Sequence, residues 1–189
     1  DNYGQLLQLF ALQTFLKELG HEPFLIRYAF WKDNSIPKLF KEYFLLPWRI
    51  PRAIKNKIAE RKVHKSNIVH ERKFVDFLSE NILYTEQIYS TKELINNPPI
   101  ADCYITGSDQ VFNFACTDFD KTYFLQFVKN CDNKLSYAAS FGMKEIPDSY
   151  VNDYKSLLST FSELSIRENA GQQIVKKLTG KDSELSVDP

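Results

Sequence analysis

Short apolar runs alternate with helix-periodic segments along residues 90–188, and this rhythm constrains the fold more than any other feature of the 189-residue chain. "STKELINN" (90–97) opens with the capping pattern Ser90 and Glu93, in which each side chain answers the other's backbone N–H. "ADCYIT" (101–106) reads as a core strand that ends at Gly107, with Cys103 as a buried hydrophobe. "KTYFLQFV" (121–128) and "KLSYAASF" (134–141) read as further strands. "DSYVNDYKSLLSTF" (148–161) predicts an amphipathic helix started by Asp148, and "ELSIRE" (163–168) a short strand. "NAGQQIVKKLTG" (169–180) predicts a helix capped by Asn169 and stopped by Gly180, and "SELSVD" (183–188) a last strand. Upstream, residues 5–19 carry Leu6, Leu9, Phe10, Leu16 and Leu19 on one broad helical face, with Gly20 as the stop. The apolar strand "PFLIRYAF" (23–30) follows, so helix and strand form the second half of a βαβ unit. The whole pattern predicts an α/β fold: a doubly wound, mainly parallel sheet.

Residues 31–83 break the rhythm. They hold both Trp, three Pro and no Gly, and read as a helical insertion between strands. From Arg49 to Lys73 nine Lys or Arg stand against Glu60 and Glu71. A solvated helical face is the bland reading of that run. The functional one is peripheral contact of 31–73 with anionic lipid headgroups, because Trp31, Phe40, Tyr43, Phe44 and Trp48 are interleaved with lysines just before it. Nucleic acid is not an expected partner: the formal net charge is zero and no reader motif is present. Three cysteines without C-x-x-C spacing fit neither a disulfide framework nor a zinc site. With no apolar run of membrane-spanning length and no signal peptide, the expected place is the cytoplasm, with the inner membrane face as a peripheral option. The chain opens on "DNYG" and stops on "SVDP", which reads as a piece of a longer protein.

In open α/β sheets, ligands sit at the carboxyl ends of the strands. Four polar clusters are expected there: Asn2, Tyr3, Gly4 and Gln5 at the first helix start; Ser108, Asp109, Gln110 and Asn113 after the 101–106 strand; Ser140-Phe141-Gly142; and Arg167-Glu168. Each has a purely structural alternative, as a cap, an Asx-turn, a tight packing site or a surface ion pair. Convergence of all four on one sheet edge is what favours a ligand site. Val111 and Phe112 are expected to pin the loop to the core so that Asp109 and Asn113 face the cleft. No Walker A loop, G-x-G-x-x-G, G-x-S-x-G or H-E-x-x-H motif occurs, and no ligand set argues for a metal.

The ordered set "NYGQLLQLFALQTFLKELGHE", "DCYITGSDQVFN", "KLSYAASFG", "LSIRENAGQQIVKKLTG" and terminal "VDP" resembles the polysaccharide pyruvyl transferase family. The resemblance covers the start of the chain and about residues 100–189, with Phe112 where the family often has Trp. It implies that residues 1–189 form one Rossmann-like N-terminal domain, with the insertion at about 31–83, of a GT-B-like two-domain enzyme whose C-terminal domain lies outside this chain. The fragment alone is then expected to be inactive. The implied activity moves an enolpyruvyl-derived group from phosphoenolpyruvate to a sugar of a cell-surface polysaccharide or its lipid-linked precursor, commonly as a pyruvate ketal. Phosphoenolpyruvate is the donor substrate and no cofactor is implied. Asp109 is the candidate base. Ser108, Gln110 and Asn113 would orient the sugar, Arg167 would hold an anionic group of the donor, and Asn2, Tyr3, Gly4, Gln5, Ser140 and Glu168 would line the cleft. The rival readings are a GT-B-like glycosyltransferase using a nucleotide sugar and a non-catalytic glycan-binding module. The oligomeric state is left open.

Overall fold

A computed structural model of the chain describes residues 3–29, 76–130 and 133–189. Asn2, Cys131, and the basic and aromatic segment with its expected insertion and membrane contact up to residue 75 lie outside the described residues. In chain order the elements are helix α1 (Tyr3–Glu18), strand β1 (Leu25–Tyr28), a helical stretch at 76–81, and strand β2 (Tyr84–Tyr89). Then come helix α2 (Thr91–Asn96), strand β3 (Tyr104–Asp109), the single turn α3 (Phe114–Thr117) and a 3-10 turn at Lys121–Phe124. Strand β4 (Lys134–Ala139) leads through a 3-10 turn (Asp148–Tyr150) into helix α4 (Val151–Ser159). Strand β5 (Glu163–Ile166), helix α5 (Asn169–Thr179) and strand β6 (Glu184–Leu185) complete the described chain.

All described strand pairs are parallel, as the helix–strand alternation requires. They form two sheets, β1-β2 and β3-β4-β5-β6. The chain divides into two compact units, Phe24–Ser90 and the remainder. This is a mixed α/β architecture consistent with a Rossmann-like fold. In the smaller unit β1 and β2 run side by side, and the Arg27 guanidinium lies 4.8 Å over the Tyr84 ring. β2 went unread in the sequence because "YTEQIY" is half polar and leaves most of its residues exposed.

In the larger unit the core is aromatic. Phe112, Phe124, Phe141, Tyr154 and Phe161 are all buried, and Phe112 stacks on Phe124 with ring centroids 4.8 Å apart. Tyr154 adds a polar tie, donating its hydroxyl to the Phe112 carbonyl at 2.7 Å. Burial in this core pushes the Tyr154 phenol far above its ordinary value. Residues of β4 and β5 are joined across a bulge between Ser136 and Ala139. There the Ala138 N–H, with φ at +46°, donates to Ser165 Oγ at 3.1 Å. A hydroxyl thus replaces the ladder partner that the bulge removes.

Several expectations are corrected. Residues 121–128 are not a strand but a 3-10 turn at Lys121–Phe124 followed by a further turn: Asp120 accepts the Thr122 N–H at 2.9 Å and Leu125 takes a left-handed conformation. The apolar run is still buried, because Phe124, Leu125, Phe127 and Val128 reach the core from a turn. β3 does not end at Gly107 but continues through Asp109, which pairs with Ala139. Cys103 precedes that strand and is exposed. Asn169 is the first residue of α5 and not its cap; Glu168 holds the cap position. On α1 the expected apolar face is only partly covered: Leu6 is buried, but Leu19 is 58% exposed. Apolar residues run all round this helix, so no single buried stripe is defined. Gly180 does stop α5, with φ at +75°.

Candidate active site at the carboxyl ends of the strands

Because β3 to β6 are parallel, their carboxyl ends share one edge. Backbone bonds beyond the strands keep those ends in line. Ser140 N donates to the Asp109 carbonyl at 2.9 Å, Arg167 N to Ala139 at 3.0 Å, and Ser186 N to Ile166 at 3.0 Å. This register brings Asp109, Ser140, Arg167 and Glu168 to neighbouring strand ends although the chain separates them widely.

The end of β3 is shaped by a glycine. Gly107 has φ at +121°, and a Cβ there would run into the Tyr137 carbonyl of the adjoining strand. Only glycine fits that approach. Two residues on, Asp109 itself has a positive φ, +106°. Its carboxylate is held from three sides. Oδ2 accepts from Gln5 Nε2 at 2.6 Å, and Oδ1 accepts from the Gln110 N–H at 2.8 Å. Arg167 Nη2 stands 3.8 Å from Oδ1, and the Asp109 side chain remains 35% exposed.

A cleft of about 470 Å³ opens between α1 and the end of β3. Its polar wall includes Gln5, Gln8, Ser108, Asp109, Gln110 and Thr117, and Leu9, Leu12 and Val111 line its apolar part. Among the described residues of this lining Asp109 is the only carboxylate, and none is Lys, Arg or His. Ser108 Oγ is buried and has no hydrogen-bond partner among the described residues. A buried hydroxyl left unpaired is costly, and such groups are common where a ligand or water completes the bonding.

The other predicted residues are placed differently. Asn113 is buried and its amide is used within the loop: Oδ1 caps α3 through the Ala115 N–H at 3.0 Å, and Nδ2 donates to Gln110 Oε1 at 2.7 Å. It therefore sets Gln110 rather than facing the cleft. Phe112 is the expected core anchor at 0% exposure, whereas Val111 lines the cleft. Ser140 is buried, and its Oγ accepts the Gly142 N–H at 3.1 Å. Glu168 Oε1 accepts from Phe141 N at 2.8 Å and from Gly142 N at 3.3 Å. Gly142 needs its φ of +61° and its missing Cβ, which would lie 2.5 Å from Gln110 Oε1. Tyr3 and Gly4 sit exposed in the first turn of α1 and do not line the cleft.

Sequence reasoning missed Gln8, Cys116, Thr117 and Tyr123, which also border the cleft. Burial, and secondarily Asp120, pushes the Tyr123 phenol up, so it stays a neutral donor there. One signal was available for Gln8. It lies three residues after Gln5 in the largely apolar first half of α1, so both amides share a face. Among the described residues no group of three or more His, Cys, Asp or Glu is arranged to hold a metal ion. No described helix is long and apolar enough to cross a membrane.

No curated protein and no solved structure matches this chain. A family model does, and its match spans both the cleft residues and the strand ends behind them. That match, to the polysaccharide pyruvyl transferases over residues 2–189, establishes that the chain belongs to this transferase family.

Proposed function

We propose that the chain is the acceptor-binding part of a pyruvyl transferase that uses phosphoenolpyruvate as donor and modifies a sugar of a polysaccharide or its lipid-linked precursor. The observation that carries this reading is the fixed Asp109 carboxylate at the edge of a cleft whose described lining residues include no cationic side chain. Such a lining suits a neutral, hydroxyl-rich ligand and is poorly matched to a phosphorylated carboxylate. Family membership supplies the transferase class and the polysaccharide acceptor.

The chemistry assigns work to these residues. Asp109 accepts a proton from one sugar hydroxyl as its oxygen adds to C2 of the enol, while the methylene carbon gains a proton and becomes methyl. Phosphate then leaves with its bridging oxygen, and a second hydroxyl adds at C2 to close the ketal. The net exchange is phosphoenolpyruvate and two hydroxyls for a cyclic ketal and inorganic phosphate. Gln5, Ser108 and Gln110 orient the acceptor, with the unpaired Ser108 hydroxyl as a ready partner for a sugar oxygen. Arg167 offers Nη2 to an anionic group of the donor. Asn113, Ser140 and Glu168 hold the loops that shape the site. In the same reading a GT-B-like partner domain supplies the remaining donor contacts, the protein works in the cytoplasm, and 31–73 gives peripheral contact with the membrane bearing the acceptor.

The test is phosphate release by the intact protein from phosphoenolpyruvate, with and without a panel of glycan acceptors. Acceptor-dependent release is expected. Nucleotide-sugar turnover with none from phosphoenolpyruvate would overturn the reading.

A further inference from the structure

Arg167 stands between two carboxylates. Its Nη1 lies 2.9 Å from Asp188 Oδ2 and 3.2 Å from Oδ1, while its Nη2 is 3.8 Å from Asp109 Oδ1. The second distance is an ion-pair contact too long for a hydrogen bond, so Nη2 keeps donor capacity among the described residues. The side chains of Arg167 and Asp188 are 27% and 30% exposed, well short of a solvated surface pair. Their meeting follows from the sheet. Ser186 N donates to the Ile166 carbonyl, which carries the β5–β6 pairing past the last strand residues and sets Asp188 beside Arg167. Asp109 belongs to β3, two strands from β5, so the long Arg side chain is what links the two strand ends.

We propose that Asp188 is a positioning residue: it grips one arm of the Arg167 guanidinium and thereby aims the other arm at the Asp109 side of the site. A guanidinium is planar, so fixing Nη1 fixes the direction of Nη2. Without Asp188 the side chain regains its rotamers and can collapse onto Asp109, closing the gap in which a ligand oxygen would sit. The proposal rests on the pyruvyl transferase reading for its kinetic consequence, but the grip itself is a property of the chain.

The experiment compares wild-type intact protein with Asp188→Ala, Asp188→Asn, Asp188→Glu and Arg167→Lys, singly and with Arg167→Lys/Asp188→Ala. Phosphate release is measured against phosphoenolpyruvate concentration. Asp188→Ala and Asp188→Asn are expected to raise the KM for phosphoenolpyruvate about tenfold with kcat changed less than about threefold, as when an arm that orients a bound ligand is loosened. Asp188→Glu should recover part of the loss. The double variant should be no worse than Arg167→Lys, because Asp188 acts through Arg167. Effects that multiply, or wild-type kinetics in Asp188→Ala and Asp188→Asn while Arg167→Lys is impaired, would overturn the proposal. The near-isosteric Asp188→Asn guards against a folding defect. If the wild type releases no phosphate, or Arg167→Lys is kinetically normal, the reading of the reaction or of Arg167 fails instead. Nitrogen-15 NMR of the guanidinium then decides on Asp188. Slow rotation of Arg167 in the wild type that becomes fast in Asp188→Ala upholds the grip, and fast rotation in the wild type sinks it.

Discussion

Asp109 and Glu168 are both carboxylates at the strand ends of one sheet, yet the fold gives them different work. Glu168 meets two backbone N–H groups, those of Phe141 and Gly142. Those bonds tie the loop after β4 to the start of α5. Asp109 meets one backbone N–H, of its own neighbour Gln110, and the terminal amide of a side chain, Gln5. It keeps a third of its surface open, at the edge of a cleft. A carboxylate bonded to distant backbone holds structure; one bonded to replaceable side chains can exchange a partner for a ligand.

The largest expected effect separates the two on function. Asp109→Asn keeps the shape but loses the base, and turnover should fall about 10²- to 10⁴-fold with little change in thermal midpoint. Undiminished turnover would remove Asp109 from the chemistry. For Glu168→Ala the expected loss is in stability, about 1–3 kcal/mol by denaturant unfolding, since two backbone donors lose their acceptor and only Ser140 Oγ still reaches Gly142. An unchanged midpoint with lost turnover would reverse the contrast.

Tyr154→Phe tests the support beneath both. Loss of the bond to the Phe112 carbonyl should cost about 1 kcal/mol. Because the folded phenol titrates above its ordinary value of 10.0, the folded state holds its proton more tightly than the unfolded state does. That stability is fully present below pH 10 and is lost as pH rises beyond it. Alkaline unfolding should therefore be blunted in Tyr154→Phe, as urea midpoints across that range would reveal. The smallest effect is expected for Gln5→Ala, a several-fold rise in acceptor KM, because Asp109 retains its Gln110 N–H bond. A Gln5→Ala variant as damaged as Asp109→Asn would mean that the amide is part of the reacting geometry.

Much of the fold was legible because period and punctuation act locally. The helix at 169–180 showed its apolar spacing and its terminal glycine in sequence, and the structure has both. Residues 121–128 misled for the opposite reason. A continuous apolar run signals burial but not backbone shape, and here Asp120 and the left-handed Leu125 chose a turn. β2 was invisible because its residues alternate poorly and most of them stay exposed. Within the site, Ser108, Asp109 and Gln110 could be picked out as a polar burst after an apolar run. Glu168 was expected to line the cleft, since nothing local indicates that its carboxylate is taken by Phe141 and Gly142. Asp188 was overlooked because its partner is 21 positions away and meets it only across the β5–β6 pairing.

By itself, then, the sequence determined the α/β alternation, the parallel pairing and the family. These follow from spacing, composition and motif order, which short-range sterics and burial enforce. Only the tertiary structure decided which polar residues are free to act. Hydrogen-bond capacity is finite, and whether a carboxylate is used up or left available depends on donors that folding brings from other strands. Asp109 ended beside Gln5 and an open cleft, Glu168 beside two backbone amides, and Arg167 between two acids.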